Sequence, residues 1–390
     1  MYKITNRLQA FNFEGGLYDV FQKALELEAQ GKKIIHMEIG KPDFDSPVAA
    51  KEEVKDALDK GIVHYTPMAG IPELRQAIAG KVKRDNGIDA DPKSEIMVTA
   101  GACEAISAIM LTLLNPGDEI LIPSPFFPAY SEQAIIVGAN LVPVPLRMEN
   151  EFRLQVEDIE ERITPRTKIL LINTPNNPTG AILELDDLQK IAKLAQERDL
   201  IVISDECYDE FVFEGKHISI ATLPGMKERT ITINSASKAF SMTGWRVAYA
   251  IGPSPIIKYA TKVHQNLSTC ATSFAQVGAV EAYNNGKEFT KGMVSEFKRR
   301  RELICDYLSQ MKGIEFVVPK GAFYVFPSIK NLCMDEMNFC NYILEEAGVA
   351  IVPGNSFGEY GKGFVRMCYA CSYEQIEEAM QKMKAAIEKL

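Results

Sequence analysis

From about residue 95 onward, short apolar runs alternate with longer segments whose apolar residues recur at helical spacing. The runs are "EIMVT", "EILIPS", "NLVPVPL", "KILLINTP", "LIVISDE", "TITINS" and "VAYAIG". Strand-length runs separated by amphipathic stretches predict a largely parallel sheet covered by helices. Between "KILLINTP" and "LIVISDE", Leu185, Leu188, Ile191 and Leu194 form an apolar stripe, so this piece reads as one βαβ unit with a right-handed crossover. Near residue 285 the texture changes. A long charged helix leads to "GIEFVVPKGAFYVF", expected to be a strand pair broken at Pro319 to Gly321, then a helix, a strand in "GFVRMCYAC" and a terminal helix. The pattern divides the chain into an N-terminal arm and helix (1–45), a large α/β domain (46–285) and a small α+β domain (286–390). The first unit cannot form a core alone and is expected to pack on the small domain or on a partner.

A chain of 390 residues suits two domains. With 46% hydrophobic and 24% charged residues it has the composition of a globular protein, not of a disordered, collagenous or membrane chain. A net charge of −9 would repel a phosphate backbone, which sets nucleic acid aside. The densest basic cluster, Lys298 to Arg301, lies in a helix whose apolar stripe is Met293, Phe297, Ile304 and Leu308. Its arginines are expected mostly on the wet face. No stretch approaches the roughly 20 apolar residues that span a bilayer, and the N-terminus lacks an uninterrupted apolar h-region. "AISAIMLTLL" fits a buried helix. Eight scattered cysteines read as reduced thiols, so a cytoplasmic protein is expected. Cys368 and Cys371 form a CxxC, but strand alternation would send them to opposite faces. The four histidines show no ligand spacing, and no metal is expected.

Ligands of open α/β sheets bind at the carboxyl ends of the strands. Three ends stand out: "NTPNNPTG" with Asn177, "SDECY" with Asp205 and Tyr208, and "NSASKAFSMTGWR" with Ser235, Ser237, Lys238 and Arg246. Taken singly, "PNNPTG" is an ordinary turn and Lys238 a surface lysine. "IVISDE" resembles the metal-binding strand of P-loop ATPases, but the chain has no G-x-x-x-x-G-K-[ST]. The conjunction of amine, carboxylate, amide, phenol, hydroxyls and guanidinium at one sheet edge carries the weight.

In this conjunction the chain resembles the fold-type I, pyridoxal-phosphate-dependent class I/II aminotransferases, the aspartate-aminotransferase-like group. The likeness runs through "IGKPDFDSP", "HYTPMAGIPELRQAIA", "TAGACEAI", "LIPSPFFPAY", "NTPNNPTG", "SDECYDEF", "SASKAFSMTGWRVAY", "GAFYVF" and "VPGNSFGEYGKGFVRMCYA". It implies a mainly parallel mixed sheet with helices on both faces and a smaller α+β domain. It also implies that an amino group moves from an L-amino acid to a 2-oxoacid in ping-pong half-reactions. By the resemblance Lys238 forms the Schiff base with pyridoxal 5'-phosphate and shuttles the proton. Asp205 holds the pyridine nitrogen protonated, and Asn177 and Tyr208 bond the phenolate oxygen. Ser235, Ser237 and Arg246 hold the phosphate with the backbone N–H groups of Ala102 and Cys103, and Phe127 stacks on the ring. Tyr65 reaches the phosphate of the neighbouring subunit, which implies a homodimer with shared sites. Arg366 grips the substrate α-carboxylate, helped by the backbone of Gly40, and closure of the small domain excludes water.

Two departures bear on substrate. Cys103 stands where the prokaryotic aspartate branch carries a lysine for the second carboxylate, and "NLSTCATSF" lacks the arginine of the animal-type branch. A buried second carboxylate without a cation is costly, so a donor with a neutral or aromatic side chain is expected. The alternatives are a C–S β-lyase of the same fold, an aspartate aminotransferase with a cation not recognised in the sequence, and a non-catalytic module. "NTPNNPTGAI" and the intact Arg366 segment look more like the transaminating branch than the lyases. A regulator would need a DNA-binding extension.

Overall fold

The computed structural model describes residues 4–11 and 16–390. The N-terminal part holds α1 (Leu17–Ala29), β1 (Ile35–His36), α2 (Val48–Asp59) and α3 (Pro72–Lys81). The central part runs β2 (Ile96–Thr99), α4 (Ala102–Leu113), β3 (Glu119–Ser124), α5 (Ala129–Val137), β4 (Asn140–Pro145), α6 (Val156–Glu160), β5 (Thr167–Asn173) and α7 (Leu185–Glu197). It continues with β6 (Ile201–Asp205), β7 (Thr230–Ser235), α8 (Ala236–Ala239), β8 (Ala248–Ile251), α9 (Ser254–Ser268) and α10 (Ser273–Asn285). The C-terminal part holds α11 (Lys287–Ser309), β9 (Tyr324–Val325), α12 (Glu336–Glu346), β10 (Val349–Ala350), β11 (Val352–Pro353), β12 (Val365–Cys368) and α13 (Tyr373–Ile387).

All seven apolar runs become strands of one sheet, in the order β2-β8-β7-β6-β5-β3-β4. Six point the same way. β8 alone is reversed, pairing antiparallel with β2 on one side and β7 on the other. "VAYAIG" is thus the element that makes the sheet mixed. Central strands are buried on both faces, which explains their near-continuous apolar sequence. Ile120, Ile122, Ile169, Leu171, Ile203 and Ile231 face α4, α5 and α9. Leu121, Leu170, Ile172 and Val202 face α7. Pro143 and Pro145 are tolerated in β4 because it is an edge strand. In α7, Leu188, Ile191 and Leu194 are buried, while Leu185 at the helix start is exposed.

A second core joins both ends of the chain. Val20 and Ala24 of α1 pack with Phe297, Ile304, Phe339, Ile343 and Met380. β1 pairs parallel with β10, Ile35 opposite Val349. The N-terminal helix and β1 therefore pack on C-terminal elements.

Three expectations need correction. Arg300 and Arg301 are not on the wet face of α11. They follow Phe297 by three and four residues and so share its buried side, where Asp43 takes Arg300 in two bonds of 2.6 and 3.0 Å and Glu214 takes Arg301 at 2.7 Å. The hairpin expected across Pro319 to Gly321 is reduced to β9 and isolated bridges of Glu315 and Phe364 with Ser328. Its turn is captured instead by the large unit, since the N–H groups of Lys320 and Gly321 both donate to the Gly180 carbonyl. Cys371 lies beyond the end of β12, so alternation does not describe the CxxC. All eight cysteines are free.

Candidate functional site

Where the strands end, the singled-out residues meet. Every one except Tyr65 lines a single cavity of about 410 Å³: Gly40, Ala102, Cys103, Phe127, Asn177, Asp205, Tyr208, Ser235, Ser237, Lys238, Arg246 and Arg366. Tyr65 stands apart, 84% exposed on the surface of this subunit.

The floor of the cavity is set by β6 and β7. Asp205 closes β6, and its carboxylate accepts from the Tyr130 hydroxyl at 2.6 Å and from the Cys207 N–H at 3.1 Å. Burial pushes its pKa up, and those two bonds oppose the rise. Lys238 projects from α8, directly after β7, and its ammonium donates to the Gly40 carbonyl at 2.6 Å. Burial lowers its pKa and the Arg366 charge adds to this, so its neutral form is favoured relative to a surface lysine. Ser235, the residue before α8, and Ser237 within it come just ahead of Lys238.

α4 and Arg246 form one end. Glu104 reaches back to the Ala100 N–H at 2.6 Å and is itself held by His264 at 2.5 Å, which fixes the first turn of α4. The first N–H groups of a helix have no intrahelical partner and carry a partial positive charge. Gly101, at φ 107°, brings that turn against the Arg246 guanidinium, where a Cβ would come within 2.1 Å of Nη2. A cradle that only glycine admits, two hydroxyls and a guanidinium suit a phosphate.

The opposite end belongs to the C-terminal unit. Arg366 in β12 donates to Asn177 Oδ1 at 3.1 Å and to the Glu38 carbonyl, while its Nε, shielded from solvent, lacks a partner. Its guanidinium lies 4.7 Å from the Tyr324 ring and 4.8 Å from that of Phe357. The Tyr324 hydroxyl meets that of Tyr208 at 2.7 Å and leaves no room for a side chain at Gly40. Burial raises the pKa of both phenols, which keeps them protonated.

A buried carboxylate, a depressed lysine, an anion cradle and a second guanidinium facing one enclosed space fit a pyridoxal phosphate together with an amino acid. Tyr130, Asn173, Cys207 and Tyr324 also line this space and were not singled out from the sequence. Tyr130 stands three residues after Phe127 in "PSPFFPAY", so that strand end carried its signal. Tyr324 lies in "GAFYVF", a segment that carried the resemblance without a role for this residue.

Comparison with known proteins agrees with this picture. The family described as aminotransferase class I and II matches residues 32–383. Aromatic-amino-acid aminotransferase 2 of Thermococcus litoralis is 46% identical, over 92% of this chain and 93% of its own length. An aspartate aminotransferase of Pyrococcus abyssi is also 46% identical, over 94% and 95%. The crystal structure of an aromatic aminotransferase from Pyrococcus horikoshii superposes with a TM-score of 0.90 at 45% identity, covering 94% of this chain and 98% of that one.

Proposed function

The chain belongs to the class I and II aminotransferases, and from that premise we propose that its cavity holds pyridoxal phosphate and moves an amino group from a neutral or aromatic L-amino acid to a 2-oxoacid. The observation that carries this reading is the convergence of Lys238, Asp205, Arg246 and Arg366 on one cavity. When bound, the cofactor supplies a carbonyl that takes up the amino group and a ring that accepts the electrons released at the substrate α-carbon. Ser235, Ser237, Arg246 and the N–H groups of Ala102 and Cys103 hold the phosphate. Asp205, kept in place by Tyr130, stabilises a proton on the ring nitrogen. Tyr208 and Asn177 bond the phenolate oxygen, and Phe127 covers the ring. Arg366 takes the α-carboxylate as a two-pronged donor, with Gly40 beside it. Lys238 Nζ, favoured in its neutral form by burial, would accept and hold the proton released at the substrate α-carbon.

The donor class follows from charge. Among the described lining residues the basic side chains are Lys238, Arg246 and Arg366. Each has a task, which leaves Cys103, Ile39, Ile106 and Phe21 to face a substrate side chain. A second reading, aspartate as donor with a cation from a partner subunit, is supported by the Pyrococcus abyssi relative. The relatives named above are aminotransferases, which does not favour the lyase.

Tyr65, Val63 and Ile62 are exposed in a row, which supports a homodimer in which Tyr65 reaches the neighbour's phosphate. The change of texture after α10 supports separating residues 46–285 from 286–390, with 1–45 attached to the latter. No helix among the described residues is long and apolar enough to cross a membrane. The eight free cysteines support a cytoplasmic location.

The test is the visible absorption of the protein loaded with pyridoxal phosphate, titrated with single L-amino acids while oxoacid release is followed. Loss of the band with phenylalanine, leucine or alanine, and its return with a 2-oxoacid, is expected; Lys238→Ala should bind the cofactor without turnover. Faster turnover of aspartate than of any neutral donor overturns the donor class. Continuous ammonia release overturns transamination itself.

A further inference from the structure

Behind the cavity lies a buried polar cluster that the chemistry above does not use. The segment that follows β6 has two faces. Asp205, Cys207 and Tyr208 line the cavity. Glu206 and Asp209 turn away into the protein. Glu206 accepts from Ser204 at 2.9 Å and Ser219 at 2.7 Å and pairs with His217 at 3.0 Å. Asp209 meets the ammonium of Lys81, a pair in which the two side chains are only 4% and 3% exposed.

Lys81 is the last residue of α3. The chain then makes a π-turn over Val82–Asn86, closed by Gly87 in the left-handed region at φ 74°. This wider turn carries Asn86 back so that its Oδ1 accepts from Lys81 at 2.9 Å while its Nδ2 donates to Asp209 at 3.0 Å. Glu210 stands 3.2 Å from the same ammonium. Lys81 thus has three acceptors for its three N–H donors. A buried ion pair gains little stability over apolar substitutes, because desolvation cancels most of the attraction. What it does gain is placement: an ammonium with no water around it leaves its partners one arrangement. Asp209 is also the neighbour of Tyr208, and its N–H donates to the Glu206 carbonyl at 3.0 Å.

We infer that Lys81, through its buried bridge to Asp209, is a positioning residue that fixes the turn Asp205 to Glu210 and so sets where the Tyr208 hydroxyl and the Asp205 carboxylate stand in the cavity. The inference rests on the roles given to those two residues above. It assigns to the reaction a lysine that lies outside the cavity.

The experiment compares the wild type with Lys81→Met, Lys81→Arg and Lys83→Met, the last an exposed lysine paired with Asp89 at 2.9 Å. Three readouts are taken well below each melting temperature: amide hydrogen exchange of residues 205–210 in cofactor-free protein, the absorption band of bound pyridoxal phosphate, and kcat and KM for a donor and 2-oxoacid pair. Lys81→Met is expected to speed exchange in 205–210 but not in β5, to shift the band, and to lower kcat roughly 10- to 100-fold with KM near its wild-type value. Lys81→Arg should restore most of the loss, and Lys83→Met should match the wild type. A Lys81→Met protein with a lowered melting temperature but wild-type band and kcat overturns the inference, because the lysine is then structural only. If that variant does not fold, Asp209→Asn takes the same measurements, and a wild-type kcat there overturns it equally. Absence of turnover in the wild type would sink the aminotransferase assignment instead, and the exchange data would still decide the coupling.

Discussion

Lys238 and His36 are bases that their surroundings push in opposite directions. Burial lowers the pKa of Lys238, whereas the Glu38 carboxylate, 2.6 Å from His36 Nδ1, raises that of His36 to about 9, with Glu28 adding to it at 3.2 Å. A histidine raised in the folded state contributes stability that is complete below its unfolded pKa near 6.5 and is lost as pH rises through about 9. His36 is partly exposed, so solvent screening reduces the effect to about 1 kcal/mol. Urea unfolding between pH 6.5 and 9.5 should therefore show the wild type losing that much more stability than His36→Gln. Parallel curves for the two proteins would remove the linkage. At this scale the sequence was informative wherever a reactive side chain followed an apolar strand, as with Asn177, Asp205 and Lys238. It was silent where a contact joins distant elements, as with Tyr324 against Tyr208, 116 positions away. It misled at Arg300 and Arg301, because the carboxylates that make their burial tolerable, Asp43 and Glu214, lie on other elements.

Among the elements, the start of α4 is the most constrained. Gly101 combines a backbone conformation that L side chains rarely adopt with a guanidinium where a Cβ would stand. Gly101→Ala should cost about 1–3 kcal/mol of stability from the strained φ alone. It should also weaken pyridoxal phosphate binding by displacing Arg246. Equilibrium dialysis beside urea denaturation measures both, and unchanged affinity would take Arg246 out of the phosphate site. Strand existence was legible because doubly buried strands are apolar throughout. Strand direction was not: β8 reads like its neighbours, yet it runs against both β2 and β7. The segment after α11 failed as a hairpin for a related reason. Its backbone donors found the Gly180 carbonyl, a partner that no local pattern could announce.

For the whole molecule, exposed Ile62, Val63 and Tyr65 lie in one short stretch, and a homodimer would cover them. Val63→Asp is expected to shift sedimentation from dimer toward monomer and to loosen the cofactor, while an unchanged mass would place the interface elsewhere. The second core is built from both ends of the chain, since β1 closes against β10 and α1 packs around Phe297. That closure reaches into biosynthesis. Ile35 leaves the ribosome long before Val349, its neighbour in the finished sheet, is added. At ribosomal speeds of roughly 5–20 residues per second, the first strand waits on the order of 15–60 s for its partner. During that interval Ile35, and Val20 and Ala24 of α1, have apolar surface with no C-terminal partner yet made, so a nascent chain halted before α11 keeps that surface uncovered.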